Sequence, residues 1–295
     1  MVPLILPTRP KMWVSDMPAE ERRPVPSSFA FSPTKTVVPL EARGVLLAII
    51  GLPGVGKSTL AAQWPSPEVI IDPRDEGMVD LIYEGLIPLT LDKVYKAVDY
   101  EDYKSLLHSR VNGPCKTIIL ESMNGVADLC LDHCSKMDHG GDRGPKSFLN
   151  YQAGPIQADD KYLKALTDLM LLAQNRGKHV IFVGHTKVAQ VKNVSGDDWL
   201  AATMSIADRM AIRIATTFTN VFHIARLVNP VGRTPGQKKA GTDSASYIFP
   251  HQNPQYYAKN RMGLMSEFEF PSSGRDGYLQ ICSQTNRSPT TFYRK

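Results

Sequence analysis

The sequence predicts an α/β fold: a mostly parallel central sheet flanked by helices, with antiparallel strands at its C-terminal edge. Three observations predict it. Short, continuous apolar runs recur along the chain, as strands buried on both faces require. Helix-like segments separate these runs, so successive strands are joined by crossovers that keep them parallel. After about residue 220 the texture shifts to alternation, as in Ser266-Glu-Phe-Glu-Phe270, the mark of half-buried antiparallel strands.

The 295 residues suffice for one large α/β unit with appendages or for two domains. An apolar share of 42% against 21% charged residues places the chain among globular proteins. Residues 1–42, rich in Pro, Arg and Ser and without a sustained period, read as an N-terminal arm. The core is expected over 43–270, and 271–295 reads as a C-terminal tail. Its first strand is Gly44–Ile50, followed by Val69–Ile71, Thr117–Leu120 and His179–Val183. The clearest helix is 158–176, where Leu163, Leu166, Met170 and Ala173 repeat at helical spacing before Gly177. Val221–Val228, Ala245–Phe249 and Leu264–Phe270 complete the sheet, and 232–241 reads as an exposed basic loop.

Directly after the first strand, Gly51, Leu52, Pro53, Gly54, Val55, Gly56, Lys57 and Ser58 match G-x-x-x-x-G-K-[ST], and Thr59 continues into a helix. The glycines let backbone N–H groups turn inward around phosphate oxygens, the helix N-terminus adds partial positive charge, and Lys57 adds a full one. ATP is the expected nucleotide, since no Asn-Lys-x-Asp guanine-reading segment follows a strand. Mg²⁺ is the expected metal, with Ser58 as a ligand and Glu121, at the end of the strand Thr117–Leu120, as its acidic partner. Hydrolysis also needs a carboxylate for the attacking water; Glu76 is the first candidate and Asp75 the second. His185, closing the strand His179–Val183, is placed to sense the γ-phosphate. Lys259 and Arg261, two apart on an extended segment, project to one side and together suit a phosphate clamp.

With these sites in order, the chain resembles the RecA-like ATPases, and most closely the short phage-encoded forms, of Sak type, that act in single-strand annealing and recombination. The resemblance covers about 43–270 and rests on Gly51–Ser58, Ile71–Gly77, Thr117–Ser122, Gly184–Lys187 and Lys259–Arg261. It implies that Glu76 activates water and that Lys259 and Arg261 act in trans across a subunit interface of a filament or ring. It also implies single-stranded DNA as partner, through loops at 135–155 and 187–204, with a single-strand-binding protein as a further partner. Lys146, Phe148 and Tyr151 in the first loop, and Lys187, Lys192 and Trp199 in the second, are suited to phosphates and bases; Asp138, Asp142, Asp197 and Asp198 dilute that charge.

Other features narrow the classes. The balance of 34 Lys+Arg against 29 Asp+Glu, net +5, permits a nucleic-acid partner without requiring one. No apolar run is long enough for a membrane span and no secretory signal opens the chain, so a cytoplasmic setting is expected, that of the host for a phage protein. Cys130, His133 and Cys134 share a helix face, but lone Cys282 offers no second pair for structural zinc, and the cysteines read as thiols. The competing readings are a P-loop kinase of a small molecule and a helicase-loader-type motor acting on a protein partner.

Overall fold

The computed structural model describes residues 43–73, 77–191, 197–231, 239–271 and 273–293. In chain order the elements are β1 (Leu46–Gly51), α1 (Lys57–Ala61), β2 (Pro67–Ile71), α2 (Gly77–Tyr83), β3 (Val94–Lys96), α3 (Tyr100–Asn112), β4 (Thr117–Glu121) and α4 (Met123–Asp138). A short α5 (Ala153–Gln157) runs through a π-helical segment, Ala158–Leu163, into α6 (Lys164–Asn175). Then come β5 (His179–Val191), β6 (Trp199–Met204), α7 (Asp208–Thr217), β7 (Asn220–Val231), β8 (Lys239–Phe249), β9 (Phe268–Phe270) and α8 (Gly274–Gln284).

The strands form one sheet in the order β3-β2-β4-β5-β1-β7-β8-β9. Every pairing from β3 to β7 is parallel, and β7-β8 and β8-β9 are antiparallel. That is the expected architecture. β1 is paired on both edges, with β5 and β7, and helices pack against both of its faces, which is why it reads as unbroken apolar sequence. Alternate residues feed two cores. Leu46, Ala48 and Ile50 pack with α3, α4, α6 and α7, while Leu47 and Ile49 pack with α1, α8 and the segment Met262–Phe270. No described helix is long and apolar enough to cross a membrane.

Two stretches differ from the sequence expectation. The segment 187–204, read as a loop, is largely the two arms of a β-hairpin: β5 runs on past the sheet edge and β6 returns along it, from Thr186↔Met204 to Val191↔Trp199. Residues 192–196, with Lys192, lie outside the described residues, as do 232–238 of the segment read as a basic loop. Residues 271–295, read as a tail, contribute a helix and an aromatic anchor instead. Phe292 is fully buried, with its ring 5.0 Å from Trp64 and 5.7 Å from Tyr278, and His179 reaches the Thr291 carbonyl at 2.9 Å.

Candidate nucleotide site

At the carboxyl end of β1 the chain must turn at once into α1, and glycine permits it. Gly54 and Gly56 have φ of 73° and 92°, a region that strains any residue bearing a Cβ. A Cβ on Gly56 would also lie 2.5 Å from the Phe270 ring. Lys57, only 5% exposed, folds back so that Nζ donates to the Leu52 carbonyl at 2.8 Å.

Ser58 Oγ donates to Glu121 Oε1 at 3.0 Å, joining the loop after β1 to the end of β4 although β5 lies between those strands. Beside Glu121, at the end of β2, stands buried Asp72, whose Oδ2 accepts from Ser122 Oγ at 3.2 Å and from its N–H at 3.4 Å. Ser122 in turn caps α4 by accepting from the Gly125 N–H. Asp72 therefore sits against the N-terminus of α4. Residue 125 must be glycine for this approach: a Cβ there would lie 1.8 Å from Asp72 Oδ2.

Asn124, in the first turn of α4, links the cleft to the hairpin. Its Oδ1 accepts from the His185 N–H at 3.1 Å and its Nδ2 donates to the Ser205 carbonyl at 2.5 Å, at the root of β5-β6. On the β7 side, His223 is 2% exposed and its ring lies 4.5 Å from that of Tyr256. Burial first, and the Lys57 charge second, pull His223 down to about 4. It is neutral at pH 7 and so adds no charge beside Lys57.

A cleft of about 580 Å³ opens among these groups, with His223 and Tyr256 outside its lining. It gathers Pro53, Gly54, Gly56, Lys57, Ser58 and Thr59 from the predicted loop with Glu121 and His185. Asp72, Asn124 and Asp128 also line it, and sequence reasoning did not select them. A signal existed: Asp72 is the first polar residue after its apolar run, as Glu121 is after the neighbouring one, although in the sheet Ile71 is the residue that pairs with Glu121, and Asn124 and Asp128 share a helix face. Glu76 and Asp75 lie outside the described residues.

Lys259 and Arg261 are not in the cleft. Lys259 Nζ donates to the carbonyls of Ala215 and Phe218, both at 2.8 Å, satisfying the end of α7. Burial, then the neighbouring Arg261 charge, lowers its pKa. Arg261 instead lines a hollow at the amino ends of β1 and β7. The two cations thus serve different surroundings within the chain, because the backbone around them pairs with Val221 and Asn220 rather than lying free.

A metal–triphosphate fits the donor set of the cleft, which combines the Ser58 hydroxyl and the Glu121 carboxylate with the Lys57 ammonium and glycine-lined backbone. Among the described residues no group of three His, Cys, Asp or Glu, in the cleft or outside it, could by itself hold a metal ion. Cys130 and Cys134 are buried in the α4 core, and burial pushes the Cys134 thiol up to about 11.

Of the candidate DNA-facing groups, Phe148 is buried, as the approach of its ring to Gly154 requires, whereas Tyr151 is 91% exposed. Lys187 is bound to the Ile206 carbonyl at 2.9 Å and to Asp208 at 3.3 Å. On the hairpin, Val188 and Leu200 are exposed and Trp199 partly so.

A family model described as an AAA domain matches residues 43–262, from the start of the sheet through the segment that carries Lys259 and Arg261. No curated protein matches the chain.

Proposed function

The chain belongs to this AAA-domain family of P-loop nucleotide-binding proteins, and we propose that it is a Mg²⁺-dependent ATPase whose turnover is tied to single-stranded DNA. The observation that carries the catalytic half is the Ser58–Glu121 contact at 3.0 Å beside Lys57. Ser58 and Glu121 would hold the metal, and the amides of 52–58 with Lys57 would hold the phosphates. Mg²⁺, when bound, neutralises charge on the β- and γ-phosphates. Glu76 is the proposed orienting carboxylate for water, in the chain immediately before α2. His185 reads the γ-phosphate, and Asn124 passes its state to the hairpin.

Support for DNA is the hairpin itself. It presents Trp199 and Leu200 on an arm rooted in the nucleotide cleft, and Tyr151 stands exposed on the other candidate segment. Rings offered to solvent on a basic protein suit stacking on unpaired bases. The proposed role is annealing or strand exchange in recombination or repair, of the phage type that the sequence resembles.

Arg261 is proposed to act on a neighbouring copy's nucleotide, with Lys259 fixing the segment that presents it. The cleft lies beyond Gly51 and Arg261 beside Val45, at opposite ends of β1, about 20 Å apart at ~3.3 Å per residue. A head-to-tail array, ring or filament, brings such ends together.

The test is ATP turnover with and without a single-stranded oligonucleotide at low salt, where phosphate contacts are strongest. Turnover should rise several-fold with DNA and vanish in Lys57→Ala. Activity indifferent to DNA at low salt removes the DNA half of the proposal; activity surviving in Lys57→Ala removes the other.

A further inference from the structure

The hollow that holds Arg261 is about 250 Å³ and is lined also by Arg43 and Arg287. Three arginines line it, and no carboxylate lines it among the described residues. Like charges gathered in so small a space repel unless an anion offsets them. The rim is rigid. Asn220 accepts from the Arg261 N–H at 2.8 Å and donates to the Thr219 hydroxyl at 2.9 Å, and Thr219 donates to the Leu46 carbonyl at 3.0 Å. Arg287 is held by the Phe292 carbonyl at 3.0 Å and lies over that residue's ring. A second observation points to a ligand: Arg43 Nε is buried without a hydrogen-bond partner, a state that costs free energy until an acceptor arrives.

We propose that Arg43, Arg261 and Arg287 form an oxyanion pocket that takes a terminal phosphoryl group. The charge decides against a lone carboxylate: three forked cations match a dianion with several oxygens better than a monoanion with two. The size decides against a whole nucleotide, since pockets for drug-sized ligands begin at roughly 300 Å³. The phosphoryl group comes either from free phosphate or pyrophosphate or from the exposed end of a nucleotide held by a second copy. The latter source rests on the head-to-tail assembly proposed above.

The experiment starts from Lys57→Ala, in which the phosphate loop is disabled, and titrates pyrophosphate by calorimetry. One equivalent should bind, and affinity should fall at least tenfold when either Arg43→Gln or Arg261→Gln is added, each checked for native circular dichroism. No heat in Lys57→Ala, or binding unchanged by both added substitutions, overturns the pocket. The source is read separately, by sedimentation of otherwise intact Arg287→Gln with a nonhydrolysable ATP analogue. Lost assembly with retained analogue binding assigns the phosphoryl group to a neighbouring copy; intact assembly, with the pyrophosphate result standing, assigns it to free phosphate. Failure of the analogue to bind in the wild-type chain counts against the ATPase reading alone.

Discussion

Glu121 occupies the place where an aspartate is commoner after a phosphate loop, and the 3.0 Å contact with Ser58 is what the longer side chain achieves. Shortening it by one methylene in Glu121→Asp draws the carboxylate back by over an ångström, outside hydrogen-bond range of Ser58. The expected outcome is near-normal ATP binding with a Mg²⁺ requirement raised at least tenfold, measured as turnover against metal concentration. Glu121→Gln keeps the contact but not the charge, and should lower turnover about a hundredfold or more. A metal curve identical to wild type in Glu121→Asp would remove Glu121 from the metal site. The sequence made Glu121 legible because it ends an apolar strand. Asp72 and Asn124 were harder to read, because their roles depend on the close approach of β2 and the first turn of α4, which only a glycine at 125 allows. The surroundings of Lys259 were not legible for the opposite reason: spacing shows which side a side chain leaves from, not that helix carbonyls wait there.

At the scale of elements, the parallel strands were readable because burial on both faces leaves no polar position to blur the pattern. The C-terminal helix was not. It packs Gly274 against the Thr59 carbonyl and Gly277 against the Phe270 ring, and small residues that permit close packing also erase the apolar period by which a helix is recognised. The hairpin was hidden too, since arms that leave the sheet for solvent carry mixed sequence. What fastens the C-terminal stretch is aromatic. Phe292, Trp64 and Tyr278 interlock at 4.8 to 5.7 Å behind the helix that opens at Lys57. Phe292→Ala should cost about 3–5 kcal/mol and, by loosening the support of α1, weaken ATP binding as well. Urea unfolding monitored at Trp64 measures the first and calorimetry the second. A stability loss under about 1 kcal/mol would mean that the cluster contributes little beyond covering surface.

For the whole molecule, two buried histidines at opposite ends of the sheet set how stability responds to acid. His179, at the start of β5, accepts from the Val45 N–H through Nδ1 at 3.2 Å and contacts the Thr291 carbonyl through Nε2 at 2.9 Å, which fixes it as the neutral tautomer protonated on Nε2. Burial is the main reason that its pKa falls to about 4, and His223 falls equally far. A histidine whose pKa is lowered on folding binds a proton more readily in the unfolded chain. Its contribution is therefore full above about pH 6.5 and is lost as pH falls toward 4. Each group is worth up to about 3 kcal/mol over that window. The urea midpoint should accordingly be flat from pH 8 to 7 and fall steeply between 6.5 and 4.5, before most carboxylates titrate. The two contributions separate by ligand. Phosphate at Lys57 offsets the cation that helps keep His223 neutral, so a bound ATP analogue should shrink only the His223 share, while His179→Gln should remove the other with or without nucleotide. A midpoint that stays level down to pH 5 would show that neither ring is held neutral by the fold.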